Sequence, residues 1–332
     1  MLKGLVEYVS LGLISLRPKK EAVHRDIYGR EVEHADDFFH PQKFRGIPVF
    51  DADSILMHYK PQLQKLREVV DIGDHRLTPD GKPLFDELFT NIIKRFIGFV
   101  HMIPASEDHH HSNTGGLLTH SIEASIEALR WSKELKCQVT HMPDLDAKIK
   151  PVIDYSSWLG ALLHDIGKIM RDISVDAVEV IHPFTKRPIP MTAPILSWHP
   201  QKESLTDWAK NNNVSAYGVT WLRHRTHNRH KIDSCQNLQP LLHGTYALDY
   251  LLSSPVKQEV YSELVRCLSG YTHQKGHLSD CMRMGDSVST NRALSIQYDP
   301  VRGQRRVSTA TKLYHCINYA SLSNERFDEE CF

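Results

Sequence analysis

Two apolar runs with helical spacing, 117–129 and 155–163, constrain this chain most, because each brings an imidazole to a place where a core helix normally carries an aliphatic residue. In the first run Leu117, Leu118, Ile122, Ile126 and Leu129 follow the period of one helix face, and Gly115-Gly116 ahead of them can start a helix on a tight turn. His120 then sits one turn into a mostly buried helix. The second run ends in His164-Asp165, just before Gly167 interrupts it. Packing the two helices together brings His120, His164 and Asp165 to one point. A single buried histidine is more often a hydrogen-bonded core residue. Three ionisable groups in one core are costly unless something neutralises them together, and imidazole nitrogens with a carboxylate oxygen are donors that nitrogen- and oxygen-preferring divalent metals take. The stretch therefore reads as a metal site. The triple His109-His110-His111, in the loop ahead of the first helix, either adds to that site or is a solvated pre-helix loop.

These residues carry a resemblance. His120, His164-Asp165 and a distant Asp resemble the metal signature of the HD superfamily of phosphohydrolases, and His164-Asp165-Ile166-Gly167-Lys168 is a common form of its second motif. More specific is Phe99-Val100-His101-Met102-Ile103-Pro104-Ala105-Ser106-Glu107-Asp108, followed by the triple His, Gly115-Gly116-Leu117-Leu118-Thr119-His120 and Ser121-Ile122-Glu123. That combination resembles the MobH-type conjugative relaxases. The His-His…Gly-Gly-Leu-Leu-x-His part alone is shared with HD-type 3′ to 5′ exoribonucleases, so Pro104-Ala105-Ser106-Glu107 discriminates. The resemblance covers residues 50 to 295 and is strongest over 96 to 168.

It implies a mainly α fold, a helical metal-dependent phosphohydrolase-like core with a small β insertion. Within 285–289, Gly285-Asp286-Ser287-Val288-Ser289 resembles the closing Asp motif, which makes Asp286 the fourth ligand beside His120, His164 and Asp165; alone, an Asp before Ser reads as a helix cap. Asp165 could bridge two ions, with His110, His111, His199, His227 or His230 as further candidate ligands. Such a donor set favours Mn, Fe(II), Co, Ni or Mg over a thiolate-bound metal. Lys168 is placed to face a phosphate or developing charge, with His110 and His111 beside it as catalytic candidates; the bland alternative for Lys168 is charge complementation at a helix end.

Residues 221–231 form the strongest local candidate for a nucleic-acid contact: Trp221 can stack on a base, and Arg223, Arg225, Arg229 and Lys231 can pair with phosphates. A solvated basic loop is the other reading. An aromatic-rich segment followed by Arg and His occurs hereabouts in MobH-type chains, and Tyr217, Trp221, Arg225 and His230 match it loosely.

Overall charge gives no help, since forty basic and forty acidic residues cancel, but phosphate binding needs only a local basic groove. Six cysteines without Cys-x-x-Cys spacing suit a reducing bacterial cytoplasm better than a disulfide scaffold. The apolar run 2–16 contains Glu7 and is too short to span a bilayer, so no stable membrane insertion is expected.

Along the chain, 1–50 reads as an arm with a packing helix and an extended segment or short hairpin around Tyr28-Gly29. The helical catalytic domain runs over 51–295, opened by an Asp51 cap, with a β insertion over about 173–225. Residues 137–150 read as a loop. A basic segment and a helix near 309–322 occupy 296–332 and could lead to a further domain, as MobH-type chains usually continue.

The leading expectation is a metal-dependent relaxase that nicks one DNA strand at a transfer origin and handles single-stranded DNA alongside other conjugation proteins. A hydrolytic HD phosphodiesterase or 3′–5′ exonuclease on single-stranded RNA or DNA is the second. A DNA-binding adaptor with a structural metal is the third.

Overall fold

The computed structural model describes residues 24–29, 31–32, 46–73, 75–107, 109–135, 142–191, 195–223, 230–270, 275–299 and 304–307. The apolar run 2–16 and the helix expected near 309–322 lie outside them. The described fold is mainly helical with a small sheet.

Near the N-terminus β1 (His24–Arg25) and β2 (Glu31–Val32) pair antiparallel, so the segment around Tyr28-Gly29 is a hairpin. After β3 (Ile47–Pro48) come α1 (Ala52–His58) and α2 (Lys60–Val70). Asp51 accepts from the backbone N–H groups of Asp53 and Ser54, satisfying donors that the first turn of α1 leaves open. One turn of π-helix, Asp86–Thr90, runs into α3 (Asn91–Val100), whose apolar residues bury almost all round. The central helices are α4 (Gly116–Glu134) and α5 (Pro143–Leu163). Helix α5 corrects the loop expected over 137–150 from Pro143 onward, while 137–141 lie outside the described residues. Pro143 starts the helix, where its missing N–H costs nothing, and Ile149, Val152 and Ile153 continue its buried surface.

Short α6 (Lys168–Arg171) leads into β4 (Ile173–Ile181), β5 (Pro188–Pro190), α7 (Leu205–Asn211) and β6 (Val214–Trp221). The four-stranded sheet has the order β3-β6-β4-β5 and is antiparallel throughout. It is therefore not built from the 173–225 segment alone, because β3 joins it from the chain before α1. Ile173, Val175 and Ala177 alternate into the core, whereas a register shift after Ala177 leaves Val178 and Val180 only half-buried. Helices α8 (His230–Ser234), α9 (Leu238–Leu242), α10 (Tyr246–Leu252), α11 (Pro255–Gly270) and α12 (His277–Ser295) complete the core. Beyond them β7 (Ile296–Asp299) and β8 (Gln304–Val307) form a hairpin that the basic composition there did not signal.

Helix α12 lies along α4, and α5 packs against both. Gly285 makes the first contact possible: a Cβ there would stand 2.3 Å from the carbonyl oxygen of Ala124. Trp158, Leu159, Leu162 and Leu163 of α5 and Ile92, Phe96 and Ile97 of α3 share one core with the inner face of the sheet.

His101 ties sheet to helices. Its backbone φ of +40° is one that few side chains tolerate, and the ring is fully buried. Nε2 accepts from the N–H of Phe50 at 3.0 Å, and Nδ1 lies 2.8 Å from the Tyr217 hydroxyl. Burial pushes the imidazole down to about 4 from 6.5. The folded state thus binds fewer protons than the unfolded one between those values, so this contribution to stability is complete above pH 6.5 and lost as pH falls towards 4. By linkage it amounts to roughly 3 kcal/mol. Urea titrations at stepped pH should show the stability gap between wild type and His101→Gln shrinking from pH 7 to 4.5; a constant gap contradicts the assignment.

Candidate metal centre

Helix α4 begins at a glycine for a steric reason. Gly115 has φ +75°, and a Cβ on Gly116 would sit 1.8 Å from the carbonyl oxygen of His111. The histidine loop therefore lies directly on the helix start. The Pro104–Glu107 segment holds that loop. The N–H of Ala105 donates to the carbonyl of His111 at 3.0 Å, and the Ser106 hydroxyl donates to the carbonyl of His110 at 2.7 Å.

One turn into α4, His120 meets the end of α5. Its Nε2 is 3.2 Å from His164 Nε2, 3.6 Å from Asp165 Oδ2 and 3.3 Å from Asp286 Oδ1. His164 Nε2 is 3.6 Å from the same Asp165 oxygen and 3.7 Å from the same Asp286 oxygen. Both rings are fully buried. His164 Nδ1 is 2.7 Å from the carbonyl of Ala161, which can only accept, so Nδ1 carries a proton and His164 in its neutral form turns an Nε2 lone pair inward. His120 Nδ1 is 3.1 Å from the Ser289 hydroxyl, whose own proton can go to Glu123 Oε2 at 3.1 Å. In that arrangement His120 also turns a lone pair inward.

Two imidazole lone pairs and two carboxylates thus converge, an arrangement that repels itself unless a cation joins it. Ligands at about 2.1 Å from a common ion stand roughly 3.0 to 3.4 Å apart, and the gaps of 3.2 to 3.7 Å are of that size. The donor set fits a divalent metal.

Electrostatics inside the cluster run in opposite directions. Desolvation dominates at His120 and lowers its pKa, outweighing the neighbouring carboxylates. At His164 the same desolvation is overcome by Asp165 and Asp286, and the pKa rises. Asp286 is driven well below the carboxylate range, because the influence of the two histidines beside it outweighs its burial. Burial, with His120 and Lys168 nearby, pushes His110 down to about 3. The ring is neutral at physiological pH.

A second cluster shares His120: ring nitrogens of His110, His111 and His120 lie within 4.8 Å of one another. His111 Nε2 is 3.6 Å from Glu123 Oε2, and Arg292 reaches the same carboxylate at 3.8 Å. Sequence reasoning assigned no role to Glu123, Ser289 or Arg292. The spacing of Glu123 from His120 on one helix is the signal that could have found the first.

Lys168 is buried rather than presented to solvent. Its ammonium donates to Asp165 Oδ2 at 2.6 Å and to the carbonyl of Ala105 at 2.9 Å. It orients the Asp165 carboxylate and ties it to the histidine loop.

Of the basic stretch, the two ends are among the described residues. Trp221 ends β6 half-buried, and Arg223 is exposed. Arg225, His227 and Arg229 lie outside the described residues, and His230 and Lys231 open α8. That helix docks behind the His-Asp turn: the Ser234 hydroxyl donates to the carbonyl of His164 at 2.7 Å and accepts from the N–H of Gly167 at 3.2 Å. Asp233 pairs with Arg171 of α6. His199 is exposed beyond the sheet and belongs to neither histidine cluster among the described residues.

The tyrosines nearest the motifs are both buried. The Tyr155 hydroxyl donates to the carbonyl of Leu88, Tyr217 is bound to His101, and desolvation raises both pKa values far above the ordinary one.

Residues 81–312 match the model of the TraI_2 family, described as "Putative helicase". The chain belongs to that family. The match spans both histidine clusters, Asp286 and the basic stretch. Membership in TraI_2 places the chain with conjugation-related, DNA-processing proteins. No curated protein matches it. Among the described residues no helix is long and apolar enough to cross a membrane.

Proposed function

We propose that this TraI_2 chain is a metal-dependent relaxase of the MobH type with an HD-like centre, which nicks one strand at a transfer origin and handles the single strand released. The observation that carries the reading is the convergence of His120, His164, Asp165 and Asp286 beneath a histidine loop that the Pro104–Glu107 segment anchors. A helicase needs a phosphate-binding loop whose Gly-Lys pair is followed by Ser or Thr, and neither Gly81-Lys82 nor Gly167-Lys168 is so followed.

His120, His164, Asp165 and Asp286 would hold one divalent ion, and His110 and His111 would contribute to a second. Mn, Fe, Mg, Co and Ni all suit these donors. When bound, such ions polarise a phosphodiester and favour an oxygen nucleophile. The protein supplies orientation: Ala161 fixes the His164 tautomer, Ser289 with Glu123 fixes that of His120, and Lys168 locks Asp165 in place. The strand approaches along 221–231, where Trp221 stacks on a base and Arg223, Arg225, Arg229 and Lys231 meet phosphates.

One observation favours a second reading, hydrolysis by an HD-type phosphodiesterase. Tyr155 and Tyr217 are buried and hydrogen-bonded, so neither is exposed to attack DNA. In that reading water is the nucleophile.

The test is a supercoiled, labelled plasmid carrying the transfer origin of the chain's own element, incubated with Mn²⁺ and analysed with and without protease. Nicked DNA whose label stays with protein until proteolysis supports the relaxase. Nicked or shortened DNA with free ends moves the reading to the hydrolytic enzyme, and intact DNA overturns both.

A further inference from the structure

The hairpin joining β4 to β5 points an aromatic ring into solvent. Phe184 is 90% exposed, and no other large apolar side chain among the described residues is as open. Its exposure is built in by the turn. The N–H groups of Phe184 and Thr185 both donate to His182 Nδ1, at 3.3 and 3.1 Å. The N–H of Lys186 donates to the carbonyl of His182, and that of His182 to the carbonyl of Arg187, each at 2.9 Å. Lys186 itself takes a φ of +56° to close the loop. The tip is consequently a fixed platform, with Lys186 and Arg187 exposed beside the ring and neither in an ion pair among the described residues.

The sequence through the tip carries charge of one sign. From Val180 to Lys202 the sequence contains no acidic residue but holds Lys186, Arg187 and Lys202, in a chain whose charges otherwise cancel. A protein partner adding a strand is disfavoured, because Pro188 and Pro190 remove N–H groups from β5, the outer strand of the sheet. An exposed ring next to two unpaired cations is instead the pairing that single-stranded nucleic acid takes, base on aromatic and phosphate on cation.

We propose that the β4–β5 tip is a second single-strand contact, in which Phe184 stacks on a base and Lys186 and Arg187 pair with the adjoining phosphates. This rests on the nucleic-acid reading above and adds a site distant from the cut. Strand β4 leaves directly after α6 and runs about 26 Å, at roughly 3.3 Å per residue, before the tip is reached. The tip holds the strand several nucleotides from the metal centre, fixing which stretch of DNA lies across it.

The test is the affinity of the full chain for a fluorescent oligothymidylate long enough to span both sites, measured over a salt series. Phe184→Ala should weaken binding about tenfold, within a range of roughly five- to a hundredfold for one stacked base. Phe184→Trp should keep the affinity and show quenched indole emission on binding. Lys186→Gln with Arg187→Gln should reduce the slope of log affinity against log salt by about 1.4, at roughly 0.7 per phosphate. All three variants should bind Mn²⁺ as wild type does. Equal affinities for wild type and Phe184→Ala would overturn the proposal while leaving the nucleic-acid reading intact. Loss of binding to anionic phospholipid vesicles by Phe184→Ala, with DNA binding unchanged, would overturn it in favour of a lipid surface. Failure of wild type to bind the oligonucleotide would overturn the nucleic-acid reading as well.

Discussion

Asp165→Asn is expected to lower DNA strand scission by about a thousandfold or more, equivalent to roughly 4 kcal/mol of lost transition-state stabilisation. The amide keeps the shape of the carboxylate but removes the charge on which both His120 and His164 converge at 3.6 Å. It also strips Lys168 of its counter-charge, leaving the buried ammonium with neutral acceptors alone, an amide oxygen and the carbonyl of Ala105. An uncompensated buried charge costs about 3 to 5 kcal/mol, so the single variant should be destabilised as well as inactive. Combining Asp165→Asn with Lys168→Met separates the two effects. Denaturant midpoints should recover in the double variant, while scission stays absent. Recovery of scission together with stability would show that Asp165 serves the fold and not the chemistry.

The second large effect is steric. Gly285→Val places a Cβ 2.3 Å from the carbonyl oxygen of Ala124 and 3.0 Å from the Cβ of Ala128, both belonging to α4 and neither able to yield alone. Helix α12 must move away from α4, at a cost of about 3 kcal/mol or more. A fall in melting temperature on the order of 5 °C or more follows. Asp286 is the next residue, so the same displacement draws its carboxylate from His120 and His164, and metal affinity should drop together with stability. Gly270→Ala is the control, because among the described residues nothing lies within 4 Å of its Cβ position. Calorimetry showing Gly285→Val as stable as Gly270→Ala would mean that the two helices are not in the contact described.

The helices of the centre were legible because their apolar period is strong and because imidazoles in such a period stand out. His120, His164 and Asp165 come together from that pattern alone, whereas Asp286 needed a family resemblance to be seen at all. What the sequence hid has physical causes. The start of α5 was masked by Pro143 and the polar residues 144–150, which read as a loop although proline suits a first helical turn. Strand β3 is two residues long, too short for any alternation to show, yet it completes the sheet. Glu123, Ser289 and Ser234 are ordinary polar residues on helices. Their contacts with His120 and with the His164 turn exist only after α4, α8 and α12 pack. Lys168 was placed beside the chemistry by its spacing from Asp165, but its orientation towards Ala105 depends on a loop from elsewhere in the chain.

The most direct measurement is a titration of metal-stripped protein with Mn²⁺, followed by electron paramagnetic resonance and calorimetry, with His120→Ala/His164→Ala and His199→Ala run beside wild type. Wild type and the His199 variant should bind one or two equivalents with imidazole nitrogen couplings in the spectrum, and the double variant should bind none tightly. Wild type that stays metal-free, or a double variant that binds as wild type does, would contradict the assignment of the buried His–Asp cluster as a metal centre.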